Sequence, residues 1–417
     1  MGIKIISVVF LCFSLSVNAQ ITLDDCQKAA RENYPLIRQY DLIQQSEDYT
    51  LSNVRKGNLP QLNISGKVSY QSEATTFPFD IPGVGMKGLP KDQYQVVMEV
   101  SQNILDGGNI HKRKQQTEAL ANESERQVDV SMYALRERVN QVFFGIVLLD
   151  EQLKQNDILD ENLKRNLKDV ENYMLNGIAN DADVDAVKVE ILRSRQNRAR
   201  LVASRMSFVN MLSLLTGIEL DEEDTLVRPE MIPLNGSQEI NRPELLLYEA
   251  RKYSLATDRN GLKSGYMPRF SLFAQGGYGN PGLDMLKDEF RPFYVVGARL
   301  TWNFGSLYTL KNDRKNIDNR MQQIDTEREL FIFNTRLKMK EQEGYLRTLE
   351  KQMRDDEEII RLRTNIRKAA EAKVANGTLS VTEMLREVTE ENLAMQAKEL
   401  HEIEYLMQQY QMKHITN

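Results

Sequence analysis

Asn176-Gly177-Ile178-Ala179-Asn180 returns 200 positions later as Asn376-Gly377-Thr378-Leu379-Ser380. Two further echoes give that repetition weight. Leu59-Pro60 leading to Tyr70 returns as Met267-Pro268 leading to Tyr278, and Val96-Val97 returns as Val295-Val296. Self-similarity at a fixed offset marks a duplicated architecture, so the sequence reads as two copies of one plan. Each copy runs helix, strand, strand, very long helix, tight turn, helix. Residues 20–217 form the first copy and residues 241–417 the second. Residues 218–240 between them are acidic, carry Pro229 and Pro233, and read as a connecting segment.

The strands are expected at about 60–71, 93–104, 268–279 and 293–304. Each alternates apolar and polar residues, the period-two signature of a sheet with two unlike faces. Leu62, Ile64, Val68 and Tyr70 share one face of the first, and Tyr94, Val96, Met98 and Val100 one face of the second. The third is weaker and glycine-rich, while the fourth places Tyr294, Val296, Ala298, Leu300, Trp302 and Phe304 together. The opposite faces carry Lys67, Glu99, Arg269 and Arg299, which suit a water-filled lumen better than a second apolar layer. Tyrosines and Trp302 gather towards strand ends, as in an interfacial girdle, and each strand has about the 9–11 residues that cross a bilayer when tilted. Two ordinary hairpins on a soluble core are the competing reading. If the strands do enter lipid, four cannot close a barrel, so several chains must combine. A dimer with eight strands and a trimer with twelve both satisfy this.

From about Asn109 to Tyr173 there is no proline and one glycine, Gly145. A helix of about 65 residues is expected, roughly 100 Å long at 1.5 Å per residue. Leu135, Val139, Val142, Ile146, Leu149 and Leu153 follow coiled-coil spacing, and Leu346, Leu349, Met353, Ile360, Ile366 and Val374 make a less regular stripe in the second copy. After each Asn-Gly turn a helix of roughly 35 residues returns. Half-length helices, Thr22 to Lys56 and Asn241 to Lys263, precede the strand pairs. The economical assembly is a tube walled by helices beneath a strand barrel.

Residues 1–19 combine Lys4, the apolar run Ile5 to Leu15 and Val17-Asn18-Ala19 before Gln20, the pattern of a cleaved export signal. Cys12 lies inside that signal and lacks the small residues that precede a lipid-modified cysteine; Cys26 is left as a single thiol, which no internal disulfide can use. The net charge of −6 argues against a nucleic-acid partner. Mean hydropathy of −0.49 resembles a soluble helical protein, yet membrane strands barely move such an average.

The pattern resembles the TolC-like outer-membrane efflux proteins across essentially the whole mature chain. Asn33-Tyr34-Pro35-Leu36, Ser101-Gln102-Asn103-Ile104-Leu105-Asp106-Gly107-Gly108, Asn241-Arg242-Pro243-Glu244-Leu245 and Leu300-Thr301-Trp302-Asn303-Phe304-Gly305 carry the match in the family's order. The resemblance implies a mainly α fold with membrane β. It also implies a homotrimer, twelve strands in one barrel set in outer-membrane lipid, and a periplasmic α-barrel of long coiled-coil helices. It implies further an exit duct for a tripartite efflux pump or a type I secretion system, met by a periplasmic adaptor and an inner-membrane pump. On that reading the adaptor contacts centre on Asn176, Gly177, Asn180, Asn376, Gly377 and Ser380. Candidate gate residues are Asp183, Glu383 and Arg386, and Lys67, Glu99, Arg269 and Arg299 face the barrel lumen. Arg386 stands where the family expects an acid, and Leu379 and Val374 replace the arginine and tyrosine that partner Asp183, which puts the family's closed-state lock in doubt here. Ser380 and Glu383 also read as a capping box, as do Asn180 and Asp183, so these acids have a structural role beside any gating one.

An enzyme finds little support. His111, His401 and His414 are scattered, and the sequence offers no catalytic, cofactor or metal motif. The nearer rival is a periplasmic adaptor or a structural coiled-coil envelope protein, but one helical hairpin flanked by strand-rich domains would not repeat strand pairs 200 positions apart.

Overall fold

The computed structural model describes residues 21–73, 91–221, 224–232, 239–284 and 287–417, so the expected export signal lies outside the described residues. Helices α1 (Leu23–Asn33) and α2 (Arg38–Lys56) lead into strands β1 (Gln61–Tyr70) and β2 (Asp92–Leu105). Next come α3 (Asn109–Leu175) and α4 (Asp181–Thr216). The second copy repeats the order with α5 (Pro243–Gly261), β3 (Arg269–Asn280), β4 (Arg291–Thr301), α6 (Ser306–Ala375) and α7 (Val381–Thr416). The long helices have 67 and 70 residues, and both returning helices have 36.

One expectation is corrected. Thr22 to Lys56 is not one helix: α1 ends at Tyr34, which is extended at φ −65°, ψ 132°, and a 3-10 turn over Pro35–Ile37 precedes α2. The proline ring disfavours the helical region for the residue before it, and Pro35 acts on Tyr34 in that way.

The chain divides into two compact units. One contains the sheet, with Arg38–Val130 and Pro243–Phe331. The strands form a single antiparallel sheet in the order β1-β2-β3-β4, so β2 and β3 join the two copies. A bulge between Asn103 and Leu105 ends the β2–β3 pairing beside the corner at Asp106, whose carboxylate accepts from the amides of Gly108 and Ile110. The helices of this unit are joined by polar pairs. Tyr40 donates to Asp129 (2.6 Å), Lys252 meets Asp325 (2.7 Å) and Arg259 meets Asp318 (2.9 Å).

The other unit holds the chain up to Ile37, Ser131–Arg242 and Ile332–Asn417. Its α3 seam is buried at Leu135, Val139, Val142 and Ile146, and Phe143, Phe144, Leu212, Leu346, Leu349 and Leu406 are fully enclosed. In α6 the stripe departs from expectation: Ala370 and Val374 are buried, but Ile366 is exposed with Ile359 and Leu362. The connecting segment is pinned at several points. Val227 donates to the Ile21 carbonyl, Gln409 exchanges two hydrogen bonds with the Ile232 backbone, and Arg228 pairs with Glu399 and Glu402.

Pairs between antiparallel helices repeat with the copies. Arg198 meets Asp157 (2.8 Å) and Arg205 meets Asp150 around the first turn. At the positions 200 later, Lys398 meets Glu357 (3.9 Å) and Tyr405 donates to Glu350 (2.9 Å). Each pair is equidistant from its turn, as antiparallel helices of equal pitch require.

Gly145 admits a close helix approach, because a Cβ there would lie 2.4 Å from the Phe208 ring. Helix propensity alone would favour Gly145→Ala by about 1 kcal/mol. Overpacking costs about 1–3 kcal/mol and should win. Gly145→Ala should therefore lower the thermal midpoint followed by circular dichroism, and adding Phe208→Leu should raise it above that of Phe208→Leu alone.

Candidate functional site

The two Asn-Gly turns share the same central backbone hydrogen bonds. Gly177 at φ +72° donates to the Met174 carbonyl (3.0 Å), and Ile178 donates to that of Tyr173 (2.8 Å). Gly377 at φ +65° donates to Val374 (2.9 Å), and Thr378 to Lys373 (2.9 Å). Glycine meets the left-handed conformation without the Cβ penalty, and the two bonds occupy carbonyls that the helix end would otherwise leave open. Asn176 and Asn376 each donate a side-chain hydrogen bond (2.8 Å) to the carbonyl four residues back. The space beside Gly177 is open and only Ile178 lies near Gly377, so a larger residue there meets backbone strain before it meets crowding.

Three residues past each glycine, a capping box starts the returning helix. The Asp183 amide donates to Asn180 Oδ1 (3.1 Å) while the Asn180 amide donates to Asp183 Oδ2 (3.0 Å). The Glu383 amide donates to Ser380 Oγ (3.2 Å), and Glu383 Oε2 accepts from the Ser380 hydroxyl (2.9 Å) and amide (3.3 Å). Those hydrogen bonds from Ser380, aided by nearby Arg386, hold the Glu383 carboxyl below its ordinary value of 4.5. Arg386 pairs with Glu387 (3.1 Å). Leu379 and Val374 sit in or against an apolar core shared by both hairpins, with Val170, Val187, Met384 and Val388.

A polar cluster that sequence reasoning missed lies one to two turns further along. Arg363 reaches Glu387 (3.4 Å) and Glu390 (2.9 Å), Thr364 donates to the buried Glu391 (2.6 Å), and Arg367 contacts Glu371 and Glu391. Burial disfavours the Arg367 charge, but the two carboxylates outweigh it and raise the guanidinium above its ordinary value. The signal was available: Arg363 and Arg367 lie four apart, and Glu387 and Glu391 lie as far beyond Gly377 as Arg367 and Arg363 lie before it. The cluster borders a cavity of about 240 Å³ that Asn162, Asp169 and Tyr173 of α3 also line.

The sheet has the two faces its alternation foretold. Leu62, Val100, Ala274 and Val296 form one cross-strand row, and Ile64, Met98, Gly276 and Tyr294 the next. Leu62, Ile64, Val68, Val96 and Val296 on this apolar face are exposed. Phe290 packs on Tyr94 and Tyr278 at the end nearer the β1–β2 connection, while Trp302 and Phe304 lie 4.8 Å apart past the other end. On the polar face Glu99 accepts from Gln275 and lies 3.9 Å from Arg299, whose guanidinium stacks 5.0 Å over Phe273. Lys67 and Arg269 occupy other rows of that face, opposite Gln95 and Thr301. One glycine on β3 and one on β4 have a use: a Cβ at Gly277 would strike Phe293, and one at Gly297 would strike Phe273, so each ring lies against glycine backbone.

The histidines stay apart. His401 meets the buried Asp356 (2.8 Å) between α7 and α6, and His414 stacks on Tyr133 at 4.3 Å. Among the described residues no group of three or more histidine, cysteine or acidic side chains is arranged to hold a metal, and no helix is long and apolar enough to cross a membrane.

The capping role of Glu383 has a pH signature. A carboxyl whose value is lowered on folding stabilises the fold above the unfolded value, and that stabilisation is lost as pH falls through the folded value. Glutamine keeps the box without the charge. The melting midpoints of the parent and Glu383→Gln should differ most above pH 4.5 and converge as the pH falls further below it. A difference that is constant across this range would remove the charged cap.

Comparison with known proteins places this geometry. Residues 27–218 match the model described as outer membrane efflux protein. No curated protein matches the sequence. Among solved structures, the outer-membrane channel OprN superposes with a TM-score of 0.70 at 14% identity, over 94% of this chain and 89% of that one. CusC, a protein studied for folding and transmembrane channel formation, gives 0.68 at 15% identity over 96% and 92%. The outer membrane protein VceC from Vibrio cholerae gives 0.65 at 11% identity over 95% and 96%. The first copy thus matches the outer membrane efflux protein model, and both copies share the fold of these channel structures.

Proposed function

We propose that this chain is an outer-membrane exit duct, assembled as a homotrimer and serving a tripartite efflux pump or a type I secretion system. It acts as a passive conduit, opened by a periplasmic adaptor and an inner-membrane pump, with no cofactor and no catalysis of its own. Residues 1–19 are the export signal, and 20–217 and 241–417, joined by 218–240, are the two copies that each protomer contributes. The observation that carries this reading is the four-stranded sheet, which exposes an apolar face and, among the described residues, leaves β1 and β4 each with one unpaired edge. In lipid such edges must pair with another chain, because no water is present to satisfy their amides and carbonyls. Three copies supply twelve strands, within the range of closed membrane barrels.

Solved proteins of the same fold support the conduit: OprN and CmeC from Campylobacter jejuni are outer-membrane channels, and MtrE from Neisseria gonorrhoeae is one seen in an open state. On this reading the turns at Asn176, Gly177, Asn180, Asn376, Gly377 and Ser380 meet the adaptor, and Asp183, Glu383 and Arg386 stand near the aperture. The Arg363–Arg367 cluster is the better candidate for holding α6 to α7 there, since Leu379 and Val374 leave Asp183 without the family's polar partners.

Arginine at Val96 or Val296, exposed on the apolar face, should cost roughly 2–4 kcal/mol of barrel stability, whereas Ser65→Arg and Thr301→Arg on the polar face should be tolerated. Heat-modifiable, membrane-extracted trimers provide the readout, and equal tolerance of both pairs would refute the barrel. Bulky replacement of Gly177 or Gly377 should abolish export while leaving trimer abundance near normal. Loss of the trimer in these variants would make the turns purely structural.

A further inference from the structure

The polar face of the sheet is cationic in a chain whose overall charge is −6. Register places Lys67, Arg269, Arg291 and Arg299 on this face, with Glu99 as its only described carboxylate. Two of these cations are balanced locally. Arg299 lies 3.9 Å from Glu99, and Arg291 pairs at 2.7 Å with Glu289, just before β4. Lys67 and Arg269 are exposed and form no ion pair among the described residues. They stand at different heights. Lys67 shares a row with Gln95, Gly279 and Arg291, whereas Arg269 lies opposite Thr301 at the sheet's other end. Arg291 and Thr301 are ten positions apart on β4, about 33 Å along the strand at 3.3 Å per residue. That exceeds a physiological Debye length of about 8 Å, so the two levels act separately on a passing ion.

We infer that Lys67 and Arg269 make the barrel an electropositive throat that concentrates anionic solutes and disfavours cations. This rests on the reading that the polar face lines a lumen shared by three chains. Threefold repetition turns each side chain into a ring of like charge, and a narrow low-dielectric wall focuses its field. Phe273 and Phe293, lying against Gly297 and Gly277, add aromatic surface between the rings. The class of solute this lining suits is organic anions with an apolar body, such as aromatic carboxylates and sulfonates.

The full-length trimer in planar bilayers under a potassium chloride gradient gives the permeability ratio of chloride to potassium from the reversal potential. Lys67→Gln/Arg269→Gln should shift that ratio towards potassium on the order of tenfold. Lys340→Gln, which removes an exposed helical cation, should not. A second measurement needs no open gate: the detergent-solubilised trimer should bind the trisulfonated dye pyranine at low salt. Binding should weaken about tenfold in the double variant and with rising ionic strength. Conductance with an unshifted ratio, or undiminished dye binding by the double variant, overturns the inference while leaving the channel standing. Absence of conductance from every variant counts against the channel itself, and the dye then decides whether the cationic lining binds anions.

Discussion

Backbone amides without partners set the terms for this protein. Among the described residues, β2 and β3 are paired on both sides, while β1 and β4 each keep one free edge. In water such an edge invites aggregation, and in lipid it is untenable, because every unsatisfied polar group there costs several kcal/mol. The side chains are arranged for the second environment. Valine, leucine, isoleucine and tyrosine stand exposed across one whole face, and a monomer in water would gain by burying them. In the proposed trimer, pairing β1 of one protomer with β4 of the next would satisfy the edges and leave that apolar face to the lipid, so oligomerisation and membrane insertion would answer one constraint.

The duplication allows a single sheet to be fed from two places in the chain. Each copy alone provides a two-stranded hairpin, which is marginal without further partners. The β2–β3 ladder joins the hairpins, with its register shift kept to the Asn103–Leu105 end, beside the corner that starts α3. The helices obey the duplication as strictly. Asp157–Arg198 and Glu357–Lys398 occupy equivalent positions, as do Asp150–Arg205 and Glu350–Tyr405. Acid in the outgoing helix is retained four times, whereas its partner drifts from arginine to lysine or tyrosine. What persists is a polar contact at a fixed distance from the turn. Partly exposed pairs of this kind contribute little energy, so their constancy is better understood as fixing helix register.

Much of this was legible because the periodicities are simple. Alternation exposed the strands, the absence of proline exposed α3, and the repeated Asn-Gly marked both reversals. The break at Pro35 was also written in the sequence, and a reading based on apolar periodicity passed over it. Ile366 was misplaced for a different reason: α6 carries apolar residues on more than one face, and period alone does not say which of them the chain itself buries. The Arg363–Glu391 cluster escaped because its members lie far apart in sequence and meet only after the hairpin closes. Phe273 and Phe293 escaped for a related cause, since their glycine seats lie on the neighbouring strand.

The role of Glu383 turns on how a carboxylate divides its two oxygens. Both bonds from Ser380 fall on Oε2, so the cap engages one oxygen and the exposed side chain keeps the other towards solvent. The bonds from Ser380 also favour its ionised form. A carboxylate tied by one oxygen is fixed in position and still presents its charge, as the proposed ring around an aperture would require. Asp183 caps its helix in the same way, while Val374 sits in the apolar core and Leu379 packs against it. In the proposed gate, closure on that side would rest on packing around Val170 and Val374 and on the Arg367–Glu391 contact. Opening would then have to move or break the Arg367–Glu391 pair, whose carboxylate is buried and whose guanidinium is half-buried, and separating a pair with a buried member is costlier than separating an exposed one.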